Sequence, residues 1–139
     1  MSDALRILRE ANSILVVDWP SPDVPDSLAR AGYSVFVKGG PGPRDYSVRE
    51  LRDGEVASRP LGDSPERADL VYAYRPLSEL PGIAEIGKEL GARALWWQSG
   101  PAGAEPEDSR RAREIAQTAG LAYVEDIDIV EAVRELGRQ

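Results

Sequence analysis

The sequence predicts an α/β fold built around a mainly parallel sheet, and three observations lead to that prediction. Residues 94–97, Ala-Leu-Trp-Trp, are apolar without the alternation of a half-exposed strand, which is typical of a strand covered on both faces. A second run, residues 13–17, is rich in β-branched apolar side chains. Strand-like and helix-like segments alternate along almost the whole chain, as they do in βαβ units.

The first part of the chain predicts two helices and two strands. A helix is expected over residues 3–11, where apolar side chains recur at helical spacing, and the buried strand over residues 13–17 follows it. A second helix is expected over residues 25–31, because a proline is tolerated in its first turn and a glycine follows its end. A strand over residues 34–37 then leads into residues 38–44, whose three glycines and two prolines require a loop.

Residues 45–65 are weakly patterned. We expect a short turn of helix near residues 48–51 and an edge strand near residues 55–57. An exposed edge strand carries unpaired backbone groups, and two copies of a chain can pair through such groups. The sequence therefore allows a homodimer.

The second half repeats the alternation of strands and helices. Each predicted helix has one apolar face, and Gly91 and Gly120 follow the ends of two of them. The segments are a strand over residues 69–74, a helix over 78–90, the strand ending at residue 97, a helix over 107–119, a strand over 121–124 and a helix over 127–136. With about five strands, right-handed crossovers and helices on both faces, the expected architecture is a three-layer Rossmann-like sandwich that forms a single domain over residues 1–139.

The composition excludes several kinds of chemistry and partner. The chain has neither cysteine nor histidine, so disulfides, the usual zinc sites and a serine–histidine–aspartate triad are ruled out. Its net charge of −7 argues against nucleic acid and anionic membrane surfaces as partners. No apolar run reaches the roughly 18 residues of a membrane span. The first residues lack the pattern of a signal peptide, so a cytoplasmic location is expected.

Five segments occur in an order that resembles one protein family. Residues 14–17 read ILVV, 31–37 read AGYSVFV, 68–75 read ADLVYAYR, 90–100 read LGARALWWQSG and 119–121 read AGL. Together they resemble the small CoA-binding domain proteins, which are related to the nucleotide-type domain of succinyl-CoA synthetase. The resemblance covers about residues 4–136. It implies the fold described above and the binding of CoA or an acyl-CoA at the carboxyl edge of the sheet.

The expected ligand-binding residues follow four of the predicted strands. They are Trp19, Pro20, Ser21, Lys38, Gly39, Gly40, Tyr74, Arg75, Gln98, Ser99 and Gly100. The family carries a Gly-containing loop after the first strand, whereas residues 18–22 here read DWPSP. We predict that Trp19 stacks on an adenine and that Ser21 and Ser27 donate hydroxyls. The alternative is a rigid, self-capped connection, because prolines lack N–H donors and Asp23 would repel a pyrophosphate.

Two cations are candidates for holding a phosphate. Lys38 precedes Gly39 and Gly40, whose N–H groups could join its ammonium around an anion, with Arg44 assisting. The alternative is a flexible turn with a solvated lysine. Arg75 ends another strand, and its planar guanidinium suits a phosphate or a carboxylate. For Arg75, the alternative is an ion pair with a carboxylate such as Glu79.

The segment at residues 96–100 combines packing and polar residues. Trp96 and Trp97 point to opposite faces of their strand, and both are expected in the core. We predict that Gln98 bridges loops or contacts the ligand, and that the backbone of Ser99 and Gly100 approaches it closely. Farther along the chain, residues 125–128 read EDID, which suggests either a hard metal ion or ordinary helix capping. We favour capping and expect no metal.

The sequence is compatible with three functions. The first is non-catalytic binding of CoA or an acyl-CoA, since no nucleophile–base pair can be recognised. The second is a degenerate Rossmann module that has lost its nucleotide pocket and acts in protein interaction or regulation, which the glycine-free first loop favours. A cleft sealed by Trp19 would support that alternative. The third, a nucleotide-using or NAD(P)-using enzyme, is the weakest, because no Gly-x-Gly-x-x-Gly motif occurs.

Overall fold

The structure of the protein is a computed structural model that describes residues 2–21, 23–39 and 45–137. Over these residues the chain forms five α-helices and seven β-strands. In order they are α1 (Asp3–Glu10), β1 (Ser13–Val17), α2 (Val24–Arg30), β2 (Ser34–Lys38), β3 (Tyr46–Arg52), β4 (Glu55–Pro60), β5 (Leu70–Ala73), α3 (Leu80–Glu89), β6 (Ala94–Trp97), α4 (Pro106–Thr118), β7 (Ala122–Glu125) and α5 (Ile129–Leu136), with a 3-10 turn at Leu77–Glu79 before α3.

The strands form one sheet in the order β4-β3-β2-β1-β5-β6-β7. β1 pairs in parallel with β2 and with β5, and the pairs β5–β6 and β6–β7 are also parallel. In contrast, β3 pairs antiparallel with both β2 and β4. The predicted α/β class and the mainly parallel sheet are confirmed. The strand number was wrong, because the described residues contain seven strands rather than about five.

The extra strands come from the weakly patterned region. The turn of helix expected near residues 48–51 is wrong, because these residues belong to β3. Tyr46 and Val48 are buried while the residues between and after them are more exposed, which is the alternation of a strand. Asp53 and Gly54, with φ of 51° and 82°, then form a two-residue hairpin turn into β4. The predicted edge strand near residues 55–57 is confirmed and extends to Pro60.

Two apolar layers cover the two faces of the sheet. Ile14 and Val16 of β1 pack in the layer formed with α1, α2 and α5, whereas Leu15 and Val17 pack in the layer formed with α3 and α4. Trp96 packs in the layer formed with α1, α2 and α5, and Trp97 packs in the layer formed with α3 and α4; both are buried, as predicted. None of the helices in the described part of the chain is both long and apolar enough to cross a bilayer.

Asp69 holds the amino ends of β1 and β5 in register. Its Oδ2 accepts the N–H groups of Asn12 at 2.8 Å and Ser13 at 3.2 Å, and its Oδ1 accepts Nε of Arg67 at 3.2 Å. Burial alone would raise the pKa of Asp69, but these hydrogen bonds outweigh burial and hold that pKa below its usual value. With the strands aligned at one edge, their carboxyl ends meet at the other.

Candidate functional site

A cleft opens where β1, β2 and β5 end. Its volume is about 370 Å³, within the range of roughly 300–1,000 Å³ that is common for ligand pockets. We call it the edge cleft. Its walls are formed by Val17, Asp18, Trp19, Lys38, Gly39, Arg75 and Glu79. Four of the predicted ligand-binding residues therefore lie together, at the edge of the sheet where α/β proteins bind ligands.

Arg75 lines the edge cleft and forms ion pairs with two carboxylates. Its Nη1 donates to Oδ2 of Asp18 at 3.0 Å, and its Nε and Nη2 donate to the Glu79 carboxylate at 3.1 and 2.5 Å. The hydrogen bonds to Glu79 and then to Asp18 raise the pKa of Arg75. The ion pair with Glu79, which the sequence left as an alternative, is present. A ligand phosphate in this cleft has to share Arg75 with both acids.

Asp18 occupies the first position after β1 in a left-handed conformation, with φ of 61°. Non-glycine residues adopt this conformation rarely, and aspartate is among those that tolerate it best. The Oδ1 of Asp18 accepts the N–H of Trp19 at 2.8 Å. Its carboxylate thus uses one backbone N–H and one guanidinium, which are the kinds of donor that hold phosphates at such loops.

The other predicted residues of the edge cleft also have internal partners. The guanidinium carbon of Arg49 lies 5.8 Å from the centroid of the Trp19 ring, and Nζ of Lys38 lies 4.9 Å from that of the Tyr46 ring. Burial, followed by the charge of Glu89, raises the pKa of Tyr46. The N–H of Gly39 donates to the carbonyl of Asp45 at 2.8 Å, so the predicted anion contact of this N–H competes with a hydrogen bond. Gly40 and Arg44 lie outside the described residues.

A second, smaller groove contains four other residues that were predicted to contact the ligand. We call it the α2–α5 groove; its volume is about 190 Å³. Pro20, Ser21, Ser27 and Gln98 line it, together with Tyr72 and with further residues of α2, α5 and the positions just before them. Trp19 and Pro20 are adjacent in the chain but face different cavities. Tyr74 lines neither cavity and packs, half-buried, against the core layer of α1, α2 and α5.

The loop after β6 is hydrogen-bonded to the residue that follows β7. The N–H and hydroxyl of Ser99 donate to Oδ1 of Asp126 at 2.7 and 2.8 Å, and the N–H of Ala104 donates to Oδ2 at 3.0 Å. Asp126 is left-handed, with φ of 52°. Gly100, which follows Ser99, has φ of 148°. The donors of Ser99 are therefore used inside the protein.

The acidic segment around Asp126 is also engaged in hydrogen bonds. Oδ1 of Asp128 accepts the N–H groups of Val130 and Glu131 and caps α5. Glu125 accepts the hydroxyl of Tyr123 at 2.6 Å, and burial followed by this bond raises the pKa of Tyr123. Among the residues that the structure describes, no group of three or more acidic side chains is arranged to hold a metal ion.

Two charged members of the edge cleft were not among the predicted ligand-binding residues: Asp18 and, except as a partner of Arg75, Glu79. Signals for both were available. Asp18 directly follows the first buried strand, so it had to lie at the carboxyl edge of the sheet. Arg75 and Glu79 are four residues apart, which brings side chains together wherever the intervening chain is helical. Here the two side chains meet although Pro76 between them is extended, with ψ of 151°, and helical geometry begins only with the 3-10 turn at Leu77–Glu79.

Comparison with solved structures supports the fold. A protein described as cell-free ID.343 from Thermus thermophilus is 28% identical; the match covers 98% of this chain and 99% of that one, with a TM-score of 0.61. A hypothetical protein from Pyrococcus horikoshii OT3 is 21% identical, over 96% of this chain and 89% of that one, with a TM-score of 0.62. Prb, described as the PH1109 protein redesigned for binding, is 18% identical, over 99% of this chain and 92% of that one, with a TM-score of 0.65.

No curated protein matches this chain significantly. The match to a protein family is more informative, because it extends from the last residue of β1 to the first residue of α5 and so includes the whole edge cleft. Residues 17–129 match the family described as CoA binding domain, and the chain belongs to that family.

Proposed function

We propose that this protein binds CoA or an acyl-CoA at the carboxyl edge of its sheet and carries out no reaction on it. Membership in the CoA binding domain family supports the ligand class. The observation that carries the proposal is the edge cleft, where two cations and one indole at the carboxyl ends of three strands border the same space. Such a combination suits a ligand that has both phosphates and an adenine.

The residues suggest how the ligand is oriented. In our proposal the adenine contacts Trp19, and the phosphates lie between Lys38 and Arg75. Arg75 offers a planar set of donors, whereas Lys38 acts as a point charge. The rest of the ligand then runs over the loop after β1 toward the α2–α5 groove, because Pro20 and Ser21 line that groove directly after Trp19.

The electrostatic balance of the edge cleft affects the expected affinity. Among the described residues that line the cleft, Lys38 and Arg75 are opposed by Asp18 and Glu79, so the charges of these four side chains sum to zero. The Arg75 side chain is 37% exposed, and solvent screens its charge. We therefore expect modest affinity that falls as the salt concentration rises.

Isothermal titration calorimetry with CoA tests the proposal. We expect saturable heat with the wild type and clearly weaker binding with Lys38→Ala and Arg75→Ala. Lys88→Ala is the matched control, because Lys88 lies on α3 in a different groove. Titrations with ATP and NAD show whether the adenine and phosphates suffice for binding. No heat and no thermal shift at millimolar CoA would contradict the proposal, as would an equal loss in the Lys88→Ala control.

A second candidate function is a Rossmann module that no longer binds nucleotides and acts through protein contacts. The observation in its favour is that the Asp18 carboxylate already engages Arg75 and the N–H of Trp19. The Asp18→Gly variant separates the two functions, since glycine adopts a left-handed φ readily and has no carboxylate. If CoA binds to Asp18→Gly and fails to bind to the wild type, the second function is the better account.

A further inference from the structure

The outer edge of β4 is an unpaired edge of the sheet. β4 is the terminal strand, and in the described part of the chain no other strand pairs with its outer side. Five of its six residues are exposed, and only Val56 is half-buried. A long exposed edge is a template for another strand, so the backbone groups along it determine what can bind.

The hairpin register shows which backbone groups point outward. The N–H of Leu61 donates to the carbonyl of Tyr46 at 2.9 Å, so this pair is hydrogen-bonded across the hairpin. Hydrogen-bonded and non-hydrogen-bonded pairs alternate along an antiparallel ladder. From the register of the hairpin, Ala57 and Arg59 therefore bond inward to β3, whereas the N–H and C=O groups of Val56 and Ser58 point outward.

We propose that a second copy of this chain pairs with β4 in an antiparallel arrangement centred on Ala57. A two-fold axis at that residue places Val56 opposite the partner's Ser58, and each of these two pairs exchanges two hydrogen bonds. The same register places Glu55 directly opposite the partner's Arg59, and the two-fold axis repeats this pair between Arg59 and the partner's Glu55. Opposite charges at facing positions on one side of a ladder stabilise the pairing.

Neighbouring registers are less favourable. If the partner strand moves by two residues, the outward N–H and C=O groups of one copy still face those of the other, whereas a move by one residue separates them. A shift in one direction places Val56 opposite the partner's Pro60, which has no N–H to donate. A shift in the other direction places Ser58 opposite the partner's Gly54, which lies in the hairpin turn with φ of 82°. The register centred on Ala57 is the one that satisfies both the hydrogen bonds and the charges.

Arg59 is available for this contact. In the single chain its Nη2 lies 3.5 Å from Oε1 of Glu50, and its side chain is 57% exposed. Exposed ion pairs of this kind contribute little to stability, so the guanidinium can turn toward the partner's Glu55 at small cost. β4 is separated from β1 by two strands, so this pairing does not depend on the proposed binding of CoA.

Sedimentation equilibrium over a range of protein concentrations tests the proposal. We expect the apparent mass of the wild type to rise from 15.1 kDa toward twice that value with increasing concentration. Glu55→Arg and Arg59→Glu each place like charges opposite one another and should remain monomeric. An equimolar mixture of the two variants restores both charge pairs and should dimerise. Glu107→Arg, on α4, is the matched control and should behave as the wild type.

A backbone variant provides an independent test. Ser58→Pro removes an outward N–H, leaves the inward hydrogen bonds to β3 in place, and should abolish the dimer. Circular dichroism establishes which variants are folded. If a charge variant does not fold, the folded Ser58→Pro variant tests the proposal in its place. A wild type that is monomeric at millimolar concentration overturns the proposal. A dimer that persists in the folded Ser58→Pro or in either charge variant, or a mixture that stays monomeric, overturns it as well.

Discussion

The two halves of the sheet's carboxyl edge use the same kind of residue in different ways. β1 and β7 are each followed by an aspartate in a left-handed conformation, Asp18 and Asp126. Asp126 accepts hydrogen bonds from the loop after β6 and closes that half of the edge. Asp18 accepts the N–H of its own neighbour and pairs with Arg75, a side chain that borders an open cleft.

This difference shows that a polar residue after a strand does not by itself identify a binding site. Ser99 and Lys38 both lie at the carboxyl ends of strands in the sheet, and both were predicted to bind the ligand. Ser99 has a carboxylate within hydrogen-bonding distance, so its donors are used internally. Lys38 lies beside the Tyr46 ring and lines the edge cleft, which is a space that a ligand can fill.

The largest expected effect on stability comes from removing the Asp126 carboxylate, which accepts the hydrogen bonds of the loop after β6. Asp126→Ala leaves the N–H groups of Ser99 and Ala104 without their acceptor and places alanine in a left-handed conformation, so we expect a loss of about 2–3 kcal/mol in the free energy of unfolding. Asp18→Ala brings the same backbone strain but leaves only one backbone N–H, that of Trp19, without its acceptor, so it should cost less. Urea denaturation measures both. Equal losses would show that the two aspartates are equally structural.

A second experiment compares ligand affinity between the two halves. Lys38→Ala should weaken CoA binding about tenfold, as expected for the loss of one charge-assisted hydrogen bond. Ser99→Ala should leave the affinity unchanged within error, because the Ser99 hydroxyl already donates to Asp126. Calorimetry with the same CoA preparation measures both variants. If Ser99→Ala weakens binding as much as Lys38→Ala does, the ligand contacts both halves of the edge.

The smallest expected effect is a pH dependence at the β7 end. Burial and the hydrogen bond to Glu125 raise the pKa of Tyr123 in the folded state. The resulting stability is fully present below the unfolded pKa, about 10, and is lost as the pH rises through the higher folded value. Between about pH 9 and 11 the wild type should therefore lose on the order of 1 kcal/mol more than Tyr123→Phe does. Urea denaturation at each pH measures the two slopes, and parallel slopes would rule out this contribution.

Most of the fold could be predicted because its signals are local. The helices and parallel strands end within two residues of their expected positions, since apolar periodicity and glycines at helix ends depend on neighbours in the chain. The error at β3 arose where polar side chains weakened the pattern. Even there, Asp53 and Gly54 are a typical hairpin turn, and that dipeptide could have revealed both strands.

The candidate site was only partly predictable. Trp19, Lys38, Gly39 and Arg75 share the edge cleft, as expected of residues at the carboxyl ends of neighbouring parallel strands. Pro20 and Ser21 line another groove, because the loop after β1 turns its successive side chains to different sides, and Gln98 after β6 lines the same groove. No local pattern reveals that division, since it depends on how α2 and α5 pack beside the loop.

The sequence by itself determined the order of the elements, the edge of the sheet at which polar loops gather, and the exclusion of thiol and histidine chemistry. Only the tertiary structure decided which of those loops remain open. Asp18 and Arg75 are 57 residues apart, and Ser99 and Asp126 are 27 residues apart. The physical reason is that hydrogen bonds and ion pairs act over a few ångströms, so strand order and helix packing determine which carboxylate reaches which donor.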